Sequence, residues 1–260
     1  MDNKTTVIIV SILAGLLVAG GAFYFVKDAQ AKKAEAELEA LFDKEVVLAK
    51  DKPAEATVSV DDLVLPDLLK GKKADFVDDF KNLDKWVEEE DFEFNKWAIT
   101  TKGELQVKDG VLSRKSAGNS GLKLKDIEIK DAAIALKLRV TEMPESGAVG
   151  TRIQLRNAED HWCYGYGLNT TTYSYELAAW HGKGNDKTAV LAPAAPEKQI
   201  GAEESWVTIV AIIQGNKLSY YKNGELIAES IDEEKAFNKG GVFISLTHLI
   251  EIDKVAIFNL

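Results

Sequence analysis

Residues 206–230 read WVTIVAIIQGNKLSYYKNGELIAES, and the punctuation of this stretch decides the fold class. Three runs rich in β-branched and aromatic residues are separated first by Gly215-Asn216 and then by Asn223-Gly224. An Asn-Gly pair between such runs marks a two-residue hairpin, because both central positions of that turn need positive φ. The stretch therefore predicts three consecutive antiparallel strands.

The same period of two recurs upstream. In AAIALKLRV, residues 132–140, Ile134, Leu136, Leu138 and Val140 share one face while Lys137 and Arg139 take the other. In TRIQLRN, residues 151–157, Ile153 and Leu155 lie opposite Arg152, Gln154 and Arg156. KGELQVKDGVL, residues 102–112, sets Asp109-Gly110 between two short apolar runs. Many short strands without a long amphipathic helix predict one all-β domain over 74–260, an antiparallel sandwich of roughly a dozen strands.

The N-terminal quarter reads differently. Residues 5–26, TTVIIVSILAGLLVAGGAFYFV, hold no charge. At about 1.5 Å per residue they span roughly the 30 Å of a bilayer core, which predicts a transmembrane anchor over 1–26. Ala29-Gln30-Ala31 offers a small-x-small cleavage site, but the apolar run exceeds a signal peptide's usual length of about 7–15, so the anchor is expected to stay uncleaved. Lys4 flanks one end and Lys27, Lys32 and Lys33 the other, so charge counting does not orient the helix. Residues 27–50 are rich in Ala, Glu, Lys and Leu, with Leu38, Leu41, Phe42 and Val46 at helical spacing. A helical stalk is expected there, packing on a neighbouring subunit or on its own globular domain. Pro53, Pro66 and Gly71 make 51–73 a linker with one short helix.

Composition narrows the partners. With 260 residues, a net charge of -10 and no long basic run, the chain has no electrostatic reason to meet nucleic acid. The single cysteine, Cys163, excludes an intrachain disulfide and reads as a small buried residue. No P-loop, Gly-x-Gly-x-x-Gly, Gly-x-Ser-x-Gly or His-Glu-x-x-His occurs, and no cofactor is expected. His161 and His181 lack a third ligand at metal spacing, so no zinc is expected.

In order along the chain stand DDFKNLDKW at 78–86, Trp97, the 102–112 run, ESWVTIVAIIQGNKLSYYKNGELI at 204–227 and IEIDKVAIFNL at 250–260. This layout resembles the concanavalin A-like jelly rolls, including laminin-G-like, family-16-glycosidase-like and 3-keto-disaccharide-hydrolase-like domains. The resemblance implies a jelly-roll β-sandwich, two stacked curved sheets with a ligand on the concave one, and an extracytoplasmic location. Family-16 enzymes carry Glu-apolar-Asp followed by a second Glu on one strand. Here Glu251-Ile252-Asp253 begins that pattern, but Val255 and Ala256 stand where the second Glu would fall. A retaining glycosidase needs both carboxyl groups. The strand thus reads as a closing core strand, and a non-catalytic domain is expected; Glu176, Glu251 and Asp253 are the carboxylates to test for hydrolysis. A calcium ion held by Asp78 or Asp79 with Asp253 is a further option.

Residues 152–181 concentrate Trp162, Tyr164, Tyr166, Tyr173, Tyr175 and Trp180 with Arg152, Arg156, His161 and His181. Alternation groups Trp162, Tyr164 and Tyr166 on one face, Tyr173 and Tyr175 on one face of the next strand, and Arg152 with Arg156 on one face of the preceding strand. Aromatic rings stack on the C–H faces of sugars and guanidinium groups bond their oxygens, so Arg152, Arg156, Trp162, Tyr164, Tyr173 and Tyr175 form the candidate ligand face. The competing reading puts the same aromatic residues in the core. The functional expectation is a membrane-anchored accessory subunit with protein partners in an envelope assembly, the alternative a glycan-binding module.

Overall fold

A computed structural model of the chain describes residues 58–89, 93–95, 98–99, 103–142, 151–158, 162–171, 174–183, 186–192 and 205–260. The expected membrane segment at 5–26, the expected stalk at 27–50 and the expected linker as far as residue 57 lie outside the described residues. Among those described, no helix is long and apolar enough to cross a membrane.

The first strands are β1 (Phe76–Asp78), β2 (Trp86–Glu89), β3 (Glu93–Asn95), β4 (Ala98–Ile99), β5 (Leu105–Lys108) and β6 (Val111–Arg114). Next come β7 (Asn119–Leu124), β8 (Ala132–Val140), β9 (Thr151–Asn157), β10 (Trp162–Thr171), β11 (Ser174–Lys183) and β12 (Asp186–Ala192). The last are β13 (Val207–Gln214), β14 (Lys217–Lys222), β15 (Glu225–Ile231), β16 (Gly241–Thr247) and β17 (Ile250–Asn259). Sheet A runs β15-β14-β13-β8-β17-β6-β5, with β1 also pairing β17, and sheet B runs β12-β11-β10-β9-β16-β7-β2. Neighbouring strands pair antiparallel, and the short β3–β4 hairpin stands apart from both sheets.

The expected β13–β14–β15 meander is present. Asn223 and Gly224 take φ of 48° and 80°, and Asp109 and Gly110 take 54° and 78°, as two-residue hairpin turns require. Between the sheets lies one core. Ile134, Leu136 and Leu138 of β8 with Ile209, Ala211 and Ile213 of β13 pack with Ile153 and Leu155 of β9 and Val242, Ile244 and Leu246 of β16. Trp86 also enters this core, where its indole Nε1 donates to Asp78 Oδ2 at 2.6 Å and its ring stacks on Phe80 at 6.0 Å.

Residues 58–73, expected as linker, cover the outer face of sheet A. Leu63, Leu65 and Leu69 form a second buried cluster with Ala133, Ala135, Val210, Ile212, Ala256 and Phe258, and the one helical piece is the 3-10 turn Asp67–Leu69. This cover explains why β13 reads as a continuous apolar run: both of its faces are buried.

Beside the cover, the outer face of sheet A carries paired charges. Lys137 Nζ lies 2.6 Å from Asp62 and 2.8 Å from Asp253, Lys254 bonds Asp62, and Arg139 lies 2.6 Å from Glu251. Asp253 and Asp78 therefore have other work than calcium: Asp253 is held by Lys137, and Asp78 is buried against Trp86 and the Phe80 amide. Among the described residues no group of three His, Cys, Asp or Glu is placed to hold a metal ion.

Candidate functional site

The outer face of sheet B is organised by its register. One row across the strands is Lys123, Phe243, Gln154, Gly165 and Trp180; the next is Gly121, Ser245, Arg152 and Gly167. Directly paired residues project to the same side, so these rows share a face. The glycines are there for space. A Cβ on Gly165 would sit 2.3 Å from the Trp180 ring and one on Gly167 2.7 Å from it, so the indole lies flat across β10. A Cβ on Gly121 would sit 2.3 Å from the Phe243 ring, which lies across β7 in the same way.

Between the two rings runs a polar strip on β9 and β16. The Arg152 guanidinium lies 5.1 Å from the Trp180 ring centroid. Gln154 and Ser245 are fully buried and Thr247 is 3% exposed. Gln154 Nε2, Ser245 Oγ and Thr247 Oγ1 have no hydrogen-bond partner among the described residues. Gln154 Oε1 is occupied, accepting from Asn157 Nδ2 at 2.6 Å. Burial pushes the Arg152 guanidinium down to about 10, with the nearby Cys163 sulfur opposing. Burial likewise pushes the Cys163 thiol up to about 12 against Arg152 and Asn157, so this cysteine is a neutral packing group.

The expected ligand face is divided by the fold. Arg152 reaches the sheet B face, but Arg156 does not share it. A register shift between β9 and β16 leaves Arg156 as a bulge residue with φ of 53°. Its guanidinium then bonds the Lys130 and Phe237 carbonyls and Asp131, over the Tyr164 ring. Tyr164 and Tyr166 point into the core, where Tyr166 donates to the Ile212 carbonyl at 2.7 Å and Tyr164 to Asp232 at 2.6 Å. Trp162, at the start of β10, is 38% exposed. Tyr173 lies outside the described residues; Tyr175 is placed on β11 by its backbone, opposite Thr170.

Beneath Tyr164 lies a buried polar cluster. His181 Nδ1 is 3.4 Å from Asp232 Oδ2, and Phe237 packs edge-on against Tyr164 at 5.1 Å. Burial raises the Asp232 carboxyl, but hydrogen bonds from Tyr164 and the Ala236 amide, with His181 close by, outweigh it and hold the group below its usual range. Burial first and the Asp232 acceptor second push the Tyr164 hydroxyl up to about 12.

Glu251 and Asp253 face away from sheet B altogether, because β17 belongs to sheet A. Of the polar and aromatic groups on the face, Phe243, Gln154, Ser245 and Thr247 carry no weight in a reading by composition, which favours tyrosine and tryptophan. The signal available was Gly165 and Gly167 alternating inside a strand, since a strand glycine marks close approach of another group.

A model of the family described as 3-keto-alpha-glucoside-1,2-lyase-like domain matches residues 74–253. No curated protein sequence matches the chain. Among solved structures, the endo-β-1,3-glucanase of Pyrococcus furiosus is similar at TM-score 0.55 and 15% identity, over 72% of this chain and 94% of that one. The family-16 endo-glucanase of Bacteroides ovatus is similar at TM-score 0.55 and 14% identity, over 70% and 99%. The laminarinase catalytic domain of Thermotoga maritima gives TM-score 0.55 at 16% identity, over 72% and 98%. At such identities the likeness is one of fold, the concanavalin A-like jelly roll.

Proposed function

The chain belongs to the family of 3-keto-alpha-glucoside-1,2-lyase-like domains, and from that membership we propose that it is a saccharide-binding protein whose sugar lies on the outer face of sheet B. The observation that carries this reading is the trio Gln154, Ser245 and Thr247, buried and without partners among the described residues, set between the rings of Trp180 and Phe243. A buried polar atom left without a hydrogen bond costs about 1–3 kcal/mol, so three on one face call for a bonding partner from outside the chain. The rings of Trp180 and Phe243 beside them are themselves buried, so they wall the trio rather than present open faces. The described side chains of the two rows supply hydrogen bonds and positive charge, which serve binding.

Ser245→Ala tests the reading. The substitution removes a hydroxyl that has no partner in the free protein, so the unfolding midpoint should hold or rise. Saccharide affinity should fall by about tenfold, the equivalent of about 1.4 kcal/mol. Lost stability with unchanged sugar binding would refute the site.

The proposal includes the setting. Residues 5–26 act as an uncleaved anchor, 27–50 as stalk, and the sandwich stands on the extracytoplasmic side, supported by the apolar length of 5–26 and by sugars as ligands. The chain should then remain in membranes through carbonate washing with Met1 or Asp2 at its N-terminus. Protease added to spheroplasts should digest the sandwich; full protection would move it to the cytoplasm. The second reading, an accessory subunit docking a protein partner, draws on a groove of about 1100 Å³ between residues 60–73 and the β14–β15 turn. Val64, Leu68 and Leu226 there are 51%, 44% and 43% exposed. Native mass measurement after gentle detergent extraction checks it: a stable heteromer favours docking, a lone monomer the sugar reading.

A further inference from the structure

Resting on the docking reading of the groove on sheet A, we propose that its partner is a second copy of this chain, seated about a twofold axis. The groove lies between two limbs of one strap. On the outgoing limb Asp62 bonds Lys254 and Lys137, and the Val64 amide donates to Thr208 Oγ1 at 3.0 Å. Lys254, Lys137 and Thr208 form one row across β17, β8 and β13, so this limb follows that row. The returning limb meets β17 at Ile257, whose carbonyl accepts from the Asp75 amide at 2.8 Å. Those two points on β17 are separated by about 10 Å of strand. Leu65 and Leu69, buried in the cluster on sheet A, fasten the strap, and Val64, Leu68 and Leu226 stand exposed above them.

Charge decides which partner fits. The chain carries a net charge of -10, so most faces of one copy repel those of another. This groove is balanced, with Lys70, Lys72 and Lys73 against Asp61, Asp67 and Glu225. Lys70 and Asp67 pair with each other at 2.7 Å. The remaining four are exposed and divide by side. Lys72 and Lys73 make the returning limb basic. Asp61 lies on the outgoing limb, and Glu225 follows a turn packed against that limb, where a Cβ on Gly224 would sit 3.3 Å from the Leu65 carbonyl oxygen. A twofold axis through the groove sets the basic limb of each copy on the acidic side of the other and brings the three apolar side chains together. A partner of uniform charge would satisfy one side and be opposed by the other.

The test is sedimentation velocity of the full-length chain in detergent. Wild type should pass from monomer to dimer between about 1 and 100 μM, as a small non-obligate interface does. Leu68→Glu places a charge at the axis and should weaken the dimer at least about tenfold, with the unfolding midpoint unchanged because the side chain is exposed. Lys72→Glu with Lys73→Glu leaves acids on both sides, and Asp61→Lys with Glu225→Lys leaves bases on both. Each double variant alone should stay monomeric, and an equimolar mixture of the two should form the heterodimer. Wild-type dimerisation in Leu68→Glu or in either double variant overturns the groove as the seat of association. A wild type monomeric at every concentration overturns the second-copy assignment; a heteromer after gentle extraction would then keep the docking reading, and a lone monomer there would end both.

Discussion

Gly165 shows how one residue can set a site. Its missing side chain is the space in which the Trp180 indole lies, and a methyl there would sit 2.3 Å from a ring carbon. Gly165→Ala should therefore cost about 1–3 kcal/mol as an overpacked position. In a Trp180→Ala background the same change should cost much less, because the clash partner is gone. Chemical denaturation of the four proteins of this cycle measures the coupling, and additive effects would mean that the indole does not lie there. Asp232 illustrates a residue working through protonation. Its folded-state carboxyl is held below the unfolded value, so the stability it contributes is present above the unfolded pKa of about 3.9 and is lost as pH falls through the folded value. Asp232→Asn should be less stable than wild type at pH 7 and should lose less stability between pH 5 and pH 3. Parallel slopes in thermal melts across that range would contradict the assignment.

At the scale of elements, two segments on sheet A carry contrasting expectations. Residues 58–73 are fastened by Leu69, which is fully buried among Ala133, Ala135 and Phe258. Leu69→Ala should cost about 2–5 kcal/mol, read as a lower urea midpoint, even though residue 69 precedes the matched family domain. A loss below about 0.5 kcal/mol would mark the segment as merely lying on the sheet. Strand β17 is the opposite case. Glu251 pairs with Arg139 while both side chains remain partly exposed, so Glu251→Gln should change stability by no more than about 1 kcal/mol. It should also leave saccharide binding unchanged, since the residue lies on the sheet away from the proposed site. Reduced sugar affinity in this variant would reopen the glucanase reading of the strand.

For the whole molecule, the sandwich has two outer faces with different coverings. Sheet A is closed by the chain's own residues 58–73 and a row of ion pairs, and sheet B carries buried aromatic rings with Gln154, Ser245 and Thr247 polar atoms that lack partners among the described residues. A ligand that binds only the folded state raises the unfolding midpoint by mass action, about 2.7 kcal/mol of stabilisation at a hundredfold excess over Kd. The proposed sugar should give this shift in wild type and a smaller one in Ser245→Ala.

The class of fold was legible in the residues themselves: Asn223-Gly224 and Asp109-Gly110 require tight hairpins, and the period of two in 132–140 and 151–157 requires half-buried strands. Backbone sterics and alternation are local, so they can be read locally. Which side of β10 turns inward is not local. Alternation states that Tyr164 and Tyr166 share a face, but it cannot say whether that face meets the core or the solvent. The choice came from partners distant in sequence: the Ile212 carbonyl and Asp232 take the tyrosine hydroxyls, and the Trp180 ring fills the side left open by the glycines. Arg156 parted from Arg152 because a single-residue bulge reverses the alternation beyond it. The polar strip of Gln154, Ser245 and Thr247 joins β9 to β16, about ninety residues apart in the chain, and only the pairing of those strands brings it together.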